Sequence, residues 1–343
     1  MGEPAVPLDP SAPGGAGSGA GASSSAPSAA PLRVGISACL LGQKVRWNAG
    51  HERDPFLVET VGRFVEWVPV CPEFELGLGV PRETLRLVQR EGGVRLVARK
   101  SGSDHTDGMT ALAAKRSAEL ADADLCGFVF KKDSPSCGLM RVRLYDAHGM
   151  PSKSGQGLFA AAMAAACPQL PMEEEGRLHD PRLRENFFER LFAWRRLRER
   201  FAGRFTVGDL VAFHSREKLL LMAHSPKLYQ ELGRMVAHAK GRPRAELAAD
   251  YRRQFMTALG TLATTRRHVN VLQHMAGYVS KELDSASRAE LAGAIADFGA
   301  GLVPLIVPLT LMRHHVRRFA VDYLAQQTYL DPHPKELMLR NHV

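Results

Sequence analysis

The sequence predicts an α/β domain with a largely parallel sheet, followed by an all-α domain. Between residues 33 and 170 short β-rich runs alternate with helical ones, whereas the segments after residue 172 have a helical period and no strands. Acidic residues, a glycine and two prolines make 171–181 a natural linker. We therefore expect domains over 32–171 and 172–343, which a chain of 343 residues can accommodate.

The predicted elements of the α/β domain follow from residue type and period. Runs rich in β-branched residues predict strands, Ala-rich periodic runs predict helices, and Glu91-Gly92-Gly93 between two alternating runs predicts a hairpin. Asp54 and Pro55 are typical of a helix start. The predicted strands are 33–40, 67–71, 85–90, 94–99, 125–130 and 140–146, and the predicted helices are 54–66, 106–123 and 157–166.

The composition of the first thirty residues, the cysteine spacing and the apolar stretches predict a cytoplasmic protein without membrane contact. Residues 1–31 are predicted to be a disordered tail, because 25 of the first thirty are Ala, Gly, Ser or Pro and none is basic. Five cysteines without paired spacing favour a reducing compartment. The longest apolar stretch, 298–312, is too short to span a bilayer and is interrupted by two prolines, so we expect a buried, kinked core helix there.

Three of the five cysteines are predicted to converge. Ligands of open α/β sheets bind beyond the carboxyl ends of the strands. Cys39 and Cys71 close predicted strands and Cys137 lies in the loop after another, whereas Cys126 begins a strand and Cys167 ends a helix. Three thiols suit a soft metal. Zinc sites commonly use close Cys pairs, whereas an iron–sulfur cluster can be held by three distant thiolates with one iron left open. The alternative is three ordinary buried cysteines.

Five ordered motifs then resemble a known family. They are "SACLLG" (37–42), "VPVCPE" (68–73), "PRE" (81–83), "SPSCG" (134–138) and "GQG" (155–157). Together they resemble the thiouracil desulfidase (TudS-like) domain over about residues 32–170.

The resemblance implies a [4Fe-4S] cluster on Cys39, Cys71 and Cys137. It also implies replacement of a thiocarbonyl sulfur by oxygen in a thiolated pyrimidine, as a free base, a nucleotide or RNA. "VRWNAG" (45–50) and "ELGLGVPRE" (75–83) depart from the family pattern beside the expected substrate. The helical half, from 205–233 to 338–341, is similar to the YbgA-like domain, a resemblance that implies no function.

The chemistry needs a group that moves protons and groups that hold the substrate. Glu73 is the first candidate for proton transfer and Glu75 the second, because a carboxylate near the cluster can serve both water and the leaving sulfide. The serines flanking Cys137 are candidates for hydrogen bonds to the cluster or substrate, against turn chemistry as the alternative. We predict a catalytic role for Ser134 and substrate contacts for Ser37, Arg46, Asp104 and Ser136.

The charge distribution raises a second class of function. Residues 31–171 hold 18 basic and 15 acidic residues, whereas residues 172–343 hold 27 and 19. The excess includes the runs 195–200 and 313–318, which fit either solvated helix faces or contacts to the phosphates of RNA or DNA. The alternative to a desulfidase is therefore a non-catalytic iron–sulfur sensor or nucleic-acid-binding protein.

Overall fold

The computed structural model describes residues 31–343, so the predicted tail lies, apart from Pro31, outside the described residues. The α/β half contains strands in two four-stranded sheets and three helices. The strands are β1 (Leu32–Ser37), β2 (Val65–Val70), β3 (Leu85–Arg90), β4 (Gly93–Ala98), β5 (Gly127–Phe130), β6 (Val142–Tyr145), β7 (Pro151–Gly155) and β8 (Met172–Glu174). The helices are α1 (Pro72–Glu75), α2 (Thr106–Ala121) and α3 (Leu158–Ala166).

The first sheet, sheet A, is entirely parallel and has the strand order β2-β1-β5-β8. The second sheet has the order β4-β3-β6-β7 and contains the predicted hairpin β3–β4, with β3 and β6 parallel. The predicted α/β class is therefore confirmed. Because all strands of sheet A run in one direction, their carboxyl ends lie at one edge.

Three local predictions differ from the structure. The predicted strand 33–40 ends at Ser37, and Cys39 lies on a 3₁₀ turn that Gly42 closes at φ 93°, a left-handed conformation. The predicted helix 54–66 is two short turns, although the Asp54 side chain does accept the Leu57 amide at 3.0 Å. The apolar stretch 298–312 is a helix end, a connection and the start of another helix.

The predicted linker 171–181 is also more structured than expected. It supplies β8, whose Met172, Glu173 and Glu174 pair with Phe128, Val129 and Phe130 of β5. The expectation that strands are absent from residue 173 onward is therefore wrong for Glu173 and Glu174, which lie in β8. Glutamate is uncommon in strands, but here hydrogen bonds to the three successive carboxylates compensate their burial. The division at 171/172 stays a prediction.

From residue 181 onward the described chain is helical, as predicted. The helices are α4 (Pro181–Phe201), α5 (Val207–His224), α6 (Pro226–Ala237), α7 (Arg244–Leu259), α8 (Thr265–Val279), α9 (Ser285–Gly299), α10 (Ile306–Arg318) and α11 (Asp322–Ala325). Polar side chains cap the starts of α4, α5, α6, α8 and α9, each accepting a backbone amide of the first turn. None of the helices in residues 31–343 combines the length and apolar character needed to cross a bilayer.

Helix α4 packs directly on sheet A. A side-chain carbon at Gly127 of β5 would lie 2.1 Å from Leu191, so the helix approaches the strand as closely as glycine allows. The Trp194 indole and the Arg198 guanidinium both donate to the Leu125 carbonyl, at 3.2 and 3.1 Å. The first helix of the helical half thus packs against β5 and is hydrogen-bonded to the connection just before that strand.

Candidate functional site

A cavity of about 590 Å³ opens at the carboxyl edge of sheet A. Cys39 follows β1, Cys71 follows β2, and Cys137 lies in the segment after β5 that we call the cysteine loop (residues 131–140). All three cysteines line this cavity. The predicted residues Ser37, Arg46, Glu73 and Ser134 line it too.

The three thiols lie in a dry environment and influence one another. Burial raises the pKa of the Cys39 thiol to about 12, and the Cys71 thiol adds to the effect. Burial likewise raises the pKa of the Cys137 thiol well above its usual value, with further contributions from Cys71 and Glu73. Neutral thiols are therefore favoured until a cation binds, because metal ligation requires the thiolates.

Two predicted serines hold Cys137. The Ser37 hydroxyl accepts the Lys131 amide at 2.9 Å and hydrogen-bonds to the Cys137 sulfur, an interaction that favours the thiolate. The Ser134 hydroxyl accepts the amides of Ser136 and Cys137 at 3.3 and 3.0 Å. Ser37 is thus a partner of a candidate ligand, and Ser134 shapes the turn while its own hydrogen stays available to the cavity.

Glu73 is fixed in place by two partners. Arg82 donates to its Oε2 from both Nε and Nη2, at 2.9 and 2.7 Å, and the fully buried Ser136 donates to Oε1 at 2.9 Å. A carboxylate held at both oxygens has a defined orientation. Glu75 lies differently, because its Oε1 accepts the Cys71 amide at 3.2 Å and its Oε2 faces Arg116.

The mouth of the cavity carries an aromatic ring and positive charges. Trp47 lines the cavity although its side chain is 45% exposed, and its carbonyl accepts the Arg82 amide at 2.8 Å. Arg46 is paired with Glu52. Lys132 and Arg143 also line the cavity, and neither has an ion-pair partner within the described chain. Sequence reasoning missed Trp47, although it lies in one of the two departures from the family pattern.

The other predicted positions do not line the cavity. Ser136, predicted to contact the substrate, is fully buried and donates a hydrogen bond to Glu73 instead. Asp104 is not among the cavity-lining residues; its carboxylate is taken by Arg95 at 2.8 Å and by the Thr106 hydroxyl and amide. Cys126 and Cys167 do not line the cavity either. Gly157 of the "GQG" motif packs against the backbone of Ser136, where a side-chain carbon would lie 2.5 Å from the carbonyl oxygen. That motif therefore serves packing.

The three thiols are not arranged to hold a single metal ion. Within residues 31–343 no three His, Cys, Asp or Glu side chains are arranged to hold one metal ion. The ligands of a single ion converge on one point about 2 Å away, whereas thiolates on a cuboidal cluster attach to separate irons. Cys39 and Cys137, which are buried, and Cys71, which is partly exposed, lie at separate places around one cavity, which is compatible with the second arrangement.

The arginines of the basic run 195–200 form ion pairs within the chain. Arg195 pairs with Glu199, Arg196 with Glu217, Arg198 with Asp124 and Arg200 with Asp209. In the run 313–318, Arg313 pairs with Asp331, while Arg317 and Arg318 are exposed. The first run thus contributes to the packing of α4, and the predicted nucleic-acid contact depends on the second.

Comparisons with known proteins match the two halves separately. The model of the family described as 2-thiouracil desulfurase matches residues 34–175. The model of a protein family of unknown function, DUF1722, matches residues 218–334.

Two sequence relatives are uncharacterized proteins. The chain is 33% identical to YbgA of Escherichia coli (strain K12) over 153 residues, covering 44% of this chain and 90% of YbgA. It is 30% identical to YbbK of Bacillus subtilis (strain 168) over 108 residues, covering 30% of this chain and 71% of YbbK. Among solved structures, a [4Fe-4S]-dependent thiouracil desulfidase, TudS, is 27% identical with a TM-score of 0.36, covering 43% of this chain and 94% of TudS.

Proposed function

The chain belongs to the proteins that join a 2-thiouracil desulfurase domain to a YbgA-like domain, and we propose that it is a desulfidase of thiolated pyrimidines. The observation that carries this proposal is the cavity at the edge of sheet A, where three thiols and an oriented carboxylate meet. The net reaction exchanges C=S and H₂O for C=O and H₂S, so it needs no oxidant or reductant.

Cys39, Cys71 and Cys137 would hold a [4Fe-4S] cluster. When bound, such a cluster supplies one iron with a free coordination position, a Lewis acid for the thiocarbonyl sulfur. The Ser37 hydroxyl tunes the Cys137 sulfur through its hydrogen bond. An oxygen-sensitive cofactor of this kind suits the reducing cytoplasm, which we propose as the location.

Glu73 is positioned to move the protons. Its Oε1 accepts a hydrogen from Ser136 and its Oε2 is held by Arg82, so the carboxylate can take a proton from a water that attacks the thiocarbonyl carbon. As the C–S bond breaks, the same group returns that proton to the departing sulfide, and the second hydrogen of the attacking water leaves the new carbonyl oxygen, which completes H₂S. Ser134 can donate its hydroxyl hydrogen to a substrate oxygen, since its own oxygen already accepts two amides.

Trp47 offers a flat face for the pyrimidine ring. This residue lines the cavity and is 45% exposed, so its ring can be reached by a ligand. Stacking of a base on an aromatic ring contributes about 1–3 kcal/mol. The unpaired Lys132 and Arg143 at the mouth can face the phosphate of a nucleotide substrate.

Anaerobic reconstitution followed by a sulfide-release assay tests the function. We expect iron and sulfide in the protein, a brown colour, and sulfide release from thiouracil compounds. Serine at Cys39, Cys71 or Cys137 should remove both cluster and activity, whereas the matched changes Cys126→Ser and Cys167→Ser should preserve both. A cluster-loaded protein that releases no sulfide would favour the sensor alternative, and zinc in place of iron and sulfide would refute the cofactor.

A further inference from the structure

Two adjacent carboxylates hold both flanks of the cysteine loop. Glu174 is the last residue of β8 and Glu175 follows it, and β8 is the edge strand beside β5, from which the loop departs. Successive side chains of a strand point to opposite faces. One short segment can therefore reach two separate parts of the loop.

Each carboxylate binds a different flank. The Oε1 of Glu174 accepts the amides of Leu139 and Met140, at 2.8 and 3.2 Å, on the far side of Cys137. The Oε2 of Glu175 accepts the Lys132 amide at 2.7 Å, on the near side, and its Oε1 pairs with the Lys131 ammonium at 2.5 Å. We call Glu174 and Glu175 the acidic clasp.

The burial of the acidic clasp indicates that these hydrogen bonds stabilise the structure. Glu174 and Glu175 are each only 6% exposed, and burying a carboxylate is costly unless its charge is satisfied. Here backbone amides of the cysteine loop donate hydrogen bonds that satisfy much of the charge, so clasp and loop stabilise each other. Glu173 is equally buried, but its carboxylate accepts the Glu174 amide at 3.0 Å and pairs with Arg177 at 2.7 Å, with no hydrogen bond to the loop.

We propose that the acidic clasp positions the Cys137 thiol, so that the segment joining the two halves is part of the site. Glu174 and Glu175 act through the loop and are positioning residues. The same segment continues to α4, because Glu173 also pairs with Arg177 just before that helix. The placement of Cys137 is thereby tied to the connection with the helical half.

Thiol labelling of the full-length apoprotein tests the clasp without any cofactor. Cys137 is 7% exposed and Cys126 is 5% exposed, so both should react slowly with iodoacetamide, and peptide mass spectrometry follows each separately. Glu174→Leu removes the acceptor at similar volume and should label Cys137 at least about tenfold faster, since it removes two hydrogen bonds to a charged acceptor and each is worth about a factor of ten or more. The Cys126 rate should not change.

Two variants serve as matched comparisons. Glu174→Gln keeps a carbonyl oxygen for the two loop amides and should restore slow labelling of Cys137. Glu173→Leu removes an equally buried carboxylate that has no hydrogen bond to the loop, and should leave the Cys137 rate close to that of the parent. An unchanged Cys137 rate in Glu174→Leu, or a parallel rise at Cys126, would overturn the proposal.

The loaded protein gives a second measurement, which rests on the proposed function. Glu174→Leu should lose iron to a chelator faster than the parent and shift the visible absorption of the cluster, and Glu174→Gln should do neither. If the parent itself takes up no iron, the proposed cofactor fails, while the labelling result still decides the clasp.

Discussion

At the scale of single residues, Glu73 is the sharpest test of catalysis. Glu73→Gln keeps an oxygen for Ser136 but removes the charge that Arg82 binds and the ability to take a proton. We expect normal iron content and a loss of sulfide release of about 10²- to 10⁴-fold, the usual contribution of a general acid–base group. An unchanged rate in Glu73→Gln would assign proton transfer to Glu75 or to water.

Trp47 gives a prediction about binding alone. Trp47→Ala should raise the KM for a thiolated pyrimidine by roughly tenfold with little change in kcat, because stacking acts equally on substrate and transition state. Trp47→Phe should recover part of the loss. Phe74→Ala is the control, since Phe74 is 53% exposed nearby in α1 but does not line the cavity. Equal effects at both positions would contradict the stacking role.

Sequence reasoning reached the candidate thiols and the serines that hold Cys137, but not the roles of Arg82 and the acidic clasp. The placement of Cys39, Cys71 and Cys137 follows from strand order alone, because parallel strands share one edge. The clasp acts through contacts between segments distant in the chain, such as Glu174 with Leu139. Arg82 reaches Glu73 across a loop whose course the sequence does not reveal. A run of three acids after a proline is typical of a solvated linker, and only the fold shows that its carboxylates are buried.

At the scale of elements, α4 explains why the basic run is not a free charged face. Arg196 donates to both oxygens of Glu217, at 2.8 and 3.1 Å, and the Glu217 side chain is only 1% exposed. The Trp194 and Arg198 contacts on the other side of the helix bind it to the end of the connection before β5. The period of the sequence predicts the helix. These pairings depend instead on the packing of α4 between α5 and the connection before β5.

Removing Arg196 should therefore destabilise the protein. Arg196→Met leaves the buried Glu217 carboxylate without its cation and should cost about 3–5 kcal/mol of unfolding free energy, measured by urea denaturation. The double variant Arg196→Met/Glu217→Gln should recover much of this loss, because no buried charge remains. Arg253→Met is the matched control, since Arg253 is 61% exposed in its pair with Asp250 and such pairs contribute at most about 1 kcal/mol. A similar loss at both arginines would contradict the account.

At the scale of the whole molecule, buried histidines make the helical half sensitive to acid. Burial lowers the pKa of His214 to about 4 and that of His268 to about 3, and the charges of Lys218 and Arg340 respectively add to the effect. Each ring is held neutral by packing and has a tyrosine hydroxyl at its Nδ1, Tyr251 at 3.0 Å and Tyr329 at 2.9 Å.

The sign of the pH dependence follows from proton counting. Between pH 6.5 and about 4 the unfolded chain takes up protons on these histidines and the folded chain does not, so stability falls as the pH falls, by about 1.4 kcal/mol per pH unit for each histidine. Below pH 4.5 Glu189 adds to the loss, because despite its burial the His224 charge and hydrogen bond lower its pKa to about 2.

We expect the melting temperature to drop steadily from pH 6.5 to 4. His214→Gln should flatten this slope, whereas His148→Gln, an exposed position in the α/β half, should leave it unchanged. A melting temperature constant across this range would show that the two rings take up protons in the folded protein as readily as in the unfolded chain.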